Sequence, residues 1–452
     1  MTLSVSPEQP IDLSSGWPNP ALLPANLLRT SATEALTNPS IKDTALHYGA
    51  DEGYEPLRTH IAAWLSTFYQ PCAPITASRI CITGGASQNL ACVLQVFTDP
   101  IYTRNVWMVA PTYFLAARIM DDAGFAGRLR GIPEDDEGIN LDFLEEGLRA
   151  AEETAQKAGN TQPVGQDTRV DVTKLKPVRP WRKIYKHVIY AVPTFANPSG
   201  KIMSLRRREA LVRIARRYDA LVVTDDVYDF LQWSPTPDGP FADRACVPRI
   251  IDVDRYLDGG PVDEWGHAIS NGSFSKLIGP GVRTGWAEAS DKVAFGLSQT
   301  GSSRSGGAPS HLCAAIIDQL FPTGMVDHLR NNLVPSYARQ YYALTSAIHE
   351  YLVPLGVTVP QPGALAGGYF VWIKLPEGLR ATQVAQQAQE AKLRVSPGDV
   401  FQVPNDPSDA PVVFSDHLRL CFAWEESRHL TEGIHATSHR SVPIPLGTRG
   451  CI

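Results

Sequence analysis

The chain has 452 residues, of which 43% are hydrophobic and 19% charged, and its 41 Lys and Arg stand against 47 Asp and Glu for a net charge of −6. That length buries a large core and predicts two domains, and the charge balance argues against a nucleic-acid partner or a membrane surface. No apolar run approaches the roughly 18 residues of a membrane span, and seven cysteines without CxxC or CxxH spacing predict reduced thiols, a cytoplasmic location and no metal site.

The first residues lack the basic start and apolar stretch of a signal peptide and read as an extended, Pro-rich arm. The C-terminal GTRGCI matches no retention or peroxisomal signal. RICIT (79–83) reads as a strand followed by a helix from about Ala86, and NVWMVA (105–110) as a second strand. KHVIYAV (186–192) and ALVVT (220–224) are further apolar runs. Between them Leu205, Leu211, Val212, Ile214 and Ala215 recur at helical spacing over 204–218. Such alternation predicts an α/β fold with a mainly parallel sheet between helices, and ligands at the carboxyl ends of its strands. The polar stretch 151–185, basic in its second half (Lys174, Lys176, Arg179, Arg182, Lys183), reads as a surface insertion. From about 324 the pattern changes to a long helix reaching about 350, a strand in GGYFVWIKL (367–375), a helix near 381–391 and a strand in HLRLCF (417–422). The expected organisation is an arm over 1–40 packing with the small domain, a large domain over 41–323, and a smaller α+β domain over 324–452.

Five segments carry chemistry. In SNGSFSKLIGPGVRTGW (270–286), small and hydroxyl residues crowd Lys276, and Arg283 follows seven positions later. A lysine whose charge is disfavoured becomes a nucleophile, and Ser273, Ser275 and Arg283 suit a phosphate; a turn with a solvated lysine fits the same residues. TGGASQNL (83–90) follows a strand and opens a helix, so Gly84, Gly85 and Ala86 bare backbone N–H groups as an anion site and Ser87 adds a hydroxyl; many such turns are glycine-rich for steric reasons alone. Tyr113 in PTYF (111–114) has a ring face for a flat ligand or for the core. Asn197 in YAVPTFANPSG (190–200) can donate to a phenolate oxygen or simply shape a turn. In VVTDDVYDF (222–230), Asp225 ends an apolar strand three residues before Tyr228. A carboxylate there needs a cationic partner, unless Asp225 or Asp226 is a helix cap.

In their order and spacing these segments resemble the fold-type I, pyridoxal-5′-phosphate (PLP)-dependent aminotransferases of class I/II. IDLSSGWPNP (11–20) and LHYGADEGYEPLR (46–58) are most similar to the subgroup acting on kynurenine, 2-aminoadipate and aromatic amino acids, and to related fungal enzymes. The resemblance implies that Lys276 holds PLP as a Schiff base. It implies a phosphate cup of Gly85, Ala86, Ser87, Ser273, Ser275 and Arg283, with Tyr113 stacked on the ring. Asn197 and Tyr228 would bond the ring's 3′-oxygen and Asp225 its nitrogen, the acid standing three residues before the tyrosine. Arg419 would clamp the substrate α-carboxylate, with Gly16 and Asn197 nearby. Tyr48 would reach the neighbouring subunit's cofactor phosphate, implying a homodimer with shared active sites. The implied reaction moves the amino group of an L-amino acid to a 2-oxo acid such as 2-oxoglutarate, with Lys276, Asp225 and Tyr228 as catalytic residues. The rival is a PLP enzyme of secondary metabolism that uses the same carbanion for elimination, replacement or bond formation. Two departures stand out. Ala86-Ser87 replaces a common Ser-Gln, and Trp17 stands where the subgroup carries a smaller residue, either reshaping the pocket or packing on the arm.

Overall fold

In the computed structural model, residues 10–158, 176–239, 242–304, 306, 310–361 and 363–439 are described. At its centre is an eight-stranded sheet with the order Ile80–Thr83, Gly285–Glu288, Ala268–Ser273, Ala220–Asp225, His187–Ala191, Asn105–Ala110, Leu129–Asp135 and Gly138–Ile139. Four successive pairings from Ala268–Ser273 to Leu129–Asp135 are parallel. Gly285–Glu288 runs antiparallel to both of its neighbours. Every residue of Asn105–Ala110 and of His187–Ala191 is buried, as expected of strands covered on both faces.

Helix Ala86–Phe97 buries Leu90, Val93, Leu94 and Phe97, the i, i+3, i+4, i+7 stripe that packs a helix on a sheet. Helix Leu205–Arg217 does the same with Arg208, Leu211, Val212 and Ala215. The long C-terminal helix is a helical run over Met325–His328, Leu329–Leu333, Val334–Ala347 and Ile348–Leu352, with two segments of wider turn. Beyond it Phe370–Lys374, His417–Cys421 and Ser396–Pro397 form an antiparallel sheet.

The arm is tied down at both ends. Its strand Ile11–Asp12 pairs with Leu393–Arg394, and the amide of Cys421 donates to the carbonyl of Leu13 at 2.7 Å. Helix Ala25–Thr37 instead packs on helix His311–Thr323.

Of the stretch 151–185, expected as a surface insertion, the described residues 177–180 are exposed. Its first residues belong to helix Leu141–Lys157, anchored by Leu144, Leu148 and Ala155; so few apolar positions on a polar helix give a weak periodic signal. Residues 159–175, including Lys174, lie outside the described residues. The remainder is bound to its own chain. Lys176 donates from Nζ to the carbonyls of Gln95 and Thr98 at 2.7 and 2.6 Å, capping the carboxyl end of helix Ala86–Phe97. Lys183 pairs with Asp219 and Asp263, both at 2.9 Å.

Candidate active site

The sheet register brings the site together. Gly285 lies opposite Thr83 on one side and Ser273 on the other. The turn before helix Ala86–Phe97, the end of Ala268–Ser273 and the loop carrying Lys276 and Arg283 therefore meet at one edge. A cavity of about 650 Å³ opens there. Gly16, Ala86, Ser87, Tyr113, Asn197, Asp225, Tyr228, Ser273, Ser275, Lys276, Arg283 and Arg419 all line it.

Gly85 sits just behind the first turn of its helix, at φ 97° and with no side-chain cap bond. A Cβ there would come within 3.1 Å of Arg283 Nη2, so glycine permits both the left-handed backbone and the approach of the guanidinium. Arg283 donates to the carbonyls of Pro280 and Gly84 at 2.9 and 3.2 Å. Ser273 Oγ accepts from the amide of Ser275 at 3.1 Å and donates to Ser275 Oγ at 3.0 Å. Uncapped N–H groups, two serines and an arginine form a cradle for a phosphate.

Lys276 lies at the centre, its Nζ donating to the carbonyl of Gly16 at 2.8 Å. What exposure it has is to the cavity, and burial pulls its pKa down to about 8. A Cβ on Gly16 would meet the Phe370 ring at 2.8 Å, so only glycine lets the arm come so close.

Asp225 and Asp226 divide the end of their strand. Asp226 turns into the protein, accepting from Thr224 Oγ1 at 2.8 Å and Ser270 Oγ at 2.5 Å. Asp225 lines the cavity. Its Oδ2 accepts from the Tyr190 hydroxyl at 3.0 Å, while its buried Oδ1 has no partner. Burial pushes its pKa up to about 7, against the pull of the Tyr190 bond. A buried carboxylate oxygen left open towards a cavity suits a cationic N–H, such as a protonated pyridine nitrogen. PLP fits this set: an amine of lowered pKa, a phosphate cradle and an acid waiting for a ring nitrogen.

Arg419 is buried between the rings of Phe370 and Phe401, 4.1 and 4.7 Å from their centroids. It donates to Asn197 Oδ1 at 3.0 Å and to the Ser14 carbonyl at 2.5 Å, and its buried Nε has no partner. Because arginine only donates, this bond fixes the Asn197 amide with its oxygen towards Arg419, leaving Nδ2 as the donor. Tyr228 is buried beside Phe370 and Tyr369. Trp17 both lines the cavity and packs edge-to-face on Trp424 at 5.6 Å. Tyr48 stands apart, 79% exposed and absent from the cavity wall.

Two participants escaped sequence reasoning. Tyr190 was read only as part of an apolar strand. Asn271 donates to the Ala86 carbonyl at 2.9 Å and accepts from Asn89 at 3.0 Å, fixing the helix start. A polar residue near the carboxyl end of an apolar strand was the signal available for both.

The chain matches the family described as aminotransferase class I and II over residues 9–436. It is 34% identical over 415 residues to an uncharacterised protein of Saccharomyces cerevisiae, covering 88% of this chain and 89% of that one. It is 28% identical to aromatic-amino-acid aminotransferase 1 of Thermococcus litoralis, covering 94% of this chain and 86% of the relative. Its fold overlays, with a TM-score of 0.71 and 25% identity, on α-aminoadipate aminotransferase of Thermus thermophilus complexed with N-(5′-phosphopyridoxyl)-L-leucine, covering 95% and 92% of the two chains. The chain thus belongs to the class I and II aminotransferases and is a PLP-dependent amino-acid aminotransferase of fold type I.

Proposed function

We propose that Lys276 is the covalent attachment point of PLP and that the chain moves the amino group of an L-amino acid with a large side chain, aromatic or 2-aminoadipate-like, to a 2-oxo acid such as 2-oxoglutarate. The observation that carries this reading is the unpartnered Oδ1 of Asp225 in the same cavity as the amine of Lys276.

When bound, the cofactor supplies an electron sink for the charge left at the substrate Cα. Asp225 keeps a proton on the ring nitrogen. Asn197 and Tyr228 would donate to the ring oxygen, and Tyr113 would pack on the ring. The helix start with Ser87, Ser273, Ser275 and Arg283 holds the phosphate. Arg419 fixes the α-carboxylate through the Nε that no protein atom occupies. The free amine of Lys276, neutral above about pH 8 and steadied by the Gly16 carbonyl, would take up the proton from the substrate Cα as general base and give it back as general acid. Tyr48 serves the cofactor phosphate of a second subunit in a homodimer, and the enzyme works in the cytoplasm.

The test is a half-reaction. Loaded enzyme mixed with a single amino acid should convert once, be followed in the cofactor absorbance, and be reset by a 2-oxo acid. Release of ammonia or of a side-chain fragment in place of a 2-oxo acid would assign elimination chemistry instead.

A further inference from the structure

Two adjacent residues, Tyr369 and Phe370, put an aromatic ring beside each of two cations of the cavity. The Phe370 ring lies 4.1 Å from the Arg419 guanidinium. The Tyr369 ring lies 5.1 Å from Lys276 Nζ, and the ring of Tyr228 faces the same amine at 5.8 Å. Backbone bonds pin the turn that carries the pair: the amide of Gly368 donates to the Leu231 carbonyl at 2.9 Å, and that of Phe422 to the Tyr369 carbonyl at 3.0 Å.

Tyr369 is fully buried, and its hydroxyl is in use at both ends. It donates to the Lys276 carbonyl at 3.2 Å and lies 3.1 Å from the Tyr337 hydroxyl. A phenol has one proton, so with that proton on the carbonyl the Tyr337 hydroxyl is the donor of the pair. Tyr337, on helix Val334–Ala347, therefore donates to Tyr369, and Tyr369 to the Lys276 backbone. That carbonyl ends the short helical turn Phe274–Lys276, where helix carbonyls lack an internal partner. One side chain thus holds Lys276 twice, its backbone through a hydrogen bond and its amine through a ring face.

A lysine that takes a proton and gives it back must become an ammonium inside a buried site. Burial opposes that charge, and so does Arg419 on His417–Cys421, while Asp225 at the end of Ala220–Asp225 favours it. Cys421 also faces the amine from the same strand as Arg419, but burial keeps its thiol protonated. The two rings attract a cation without competing for its proton.

We propose that Tyr369 is a positioning residue for Lys276: its hydroxyl sets the backbone from which the amine projects, and its ring stabilises the ammonium that the amine becomes on taking the substrate's proton. The proposal rests on the reading of Lys276 as the general base.

The test begins without cofactor. Acetic anhydride labelling of the cofactor-free protein across pH, read on the Lys276 peptide by mass spectrometry, gives the midpoint of this one amine, expected at about 8. Tyr369→Phe should keep that midpoint. Tyr369→Leu should lower it by about half a pH unit or more, the loss of one ring face from a desolvated cation. Lost packing alone acts in the opposite direction, because admitted water favours the ammonium. In the loaded enzyme, Tyr369→Phe should lower kcat about three- to tenfold at nearly unchanged KM, since the hydroxyl holds the lysine and leaves Arg419 alone. If Tyr369→Leu does not fold, Tyr369→Met takes its place. A midpoint that stays or rises when the ring is removed overturns the proposal, and so does full kcat in Tyr369→Phe. Borohydride fixing of PLP on a different lysine refutes the attachment reading instead, and the cofactor-free midpoints still decide the part of the ring.

Discussion

The carbonyl oxygen of Gly16 accepts a 2.8 Å hydrogen bond from Lys276 Nζ across 260 positions of sequence. The arm thus steadies an amine carried by a loop at the edge of the central sheet. Burial has already pulled the pKa of that amine down to about 8.

Only the neutral amine attacks an aldehyde. Attachment of PLP to the cofactor-free protein should therefore accelerate as pH rises and level off above about 8, well below the value of an ordinary lysine. Lys276→Ala should abolish borohydride-stable labelling and turnover. Peptide mapping that finds the label on another lysine would overturn the assignment.

Asp225→Asn should slow amino transfer by orders of magnitude, and Asp226→Asn far less, because only Asp225 presents an open oxygen to the cavity. The same change should stabilise the cofactor-free protein. The pKa of Asp225 is raised to about 7, so in the folded chain it keeps a proton that the unfolded chain has lost. Its contribution is fully present below the unfolded carboxyl value and is lost as pH rises through about 7. At pH 8 the asparagine variant should gain on the order of 1–4 kcal/mol, with little gain at pH 4. Thermal unfolding of both cofactor-free proteins across that range measures it, and a gain independent of pH would contradict it.

Arg419→Ala should cost amino-acid substrates about 2–5 kcal/mol of binding, the usual penalty for removing one partner of a buried charged pair. Amines with the same side chain but no carboxylate should lose much less. Equal losses would make Arg419 a structural residue wedged between Phe370 and Phe401.

A mixed dimer tests Tyr48. One subunit carries Lys276→Ala and the other Tyr48→Phe. If each tyrosine serves the partner's site, one site collects both defects and the other has none, and activity returns to near half of normal. If Tyr48 serves its own subunit, every site keeps one defect and the mixture stays at or below the mean of its parents.

Much of this was readable from the chain because the central strands are buried on both faces. NVWMVA forms an unbroken apolar run, and the strand Asn105–Ala110 coincides with it. Leu129–Asp135 was not readable. It contains arginine, glycine, proline and acids, a mixture tolerated towards the edge of a sheet, where only the short Gly138–Ile139 pairs outside it. The Gly285–Glu288 strand is four residues long, too short to show a period. Tyr190 looked like core because its partner is fixed by the register that sets Tyr190 opposite Val223, two residues before Asp225, and register between distant strands leaves no local trace. Lys276, Arg283 and Asp225 stood out because each sits in a short segment of recognisable spacing, and the fold brings all three to one cavity.

Strand pairing also limits how the phosphate cradle can change. Gly285 faces Thr83 and Ser273 at once, and Gly285–Glu288 lies between two strands far apart in the chain. A strand can shift only by whole residues, and a single step turns every side chain to the opposite face. The residues of the cradle therefore meet only in the one register that sets Gly285 against both Thr83 and Ser273.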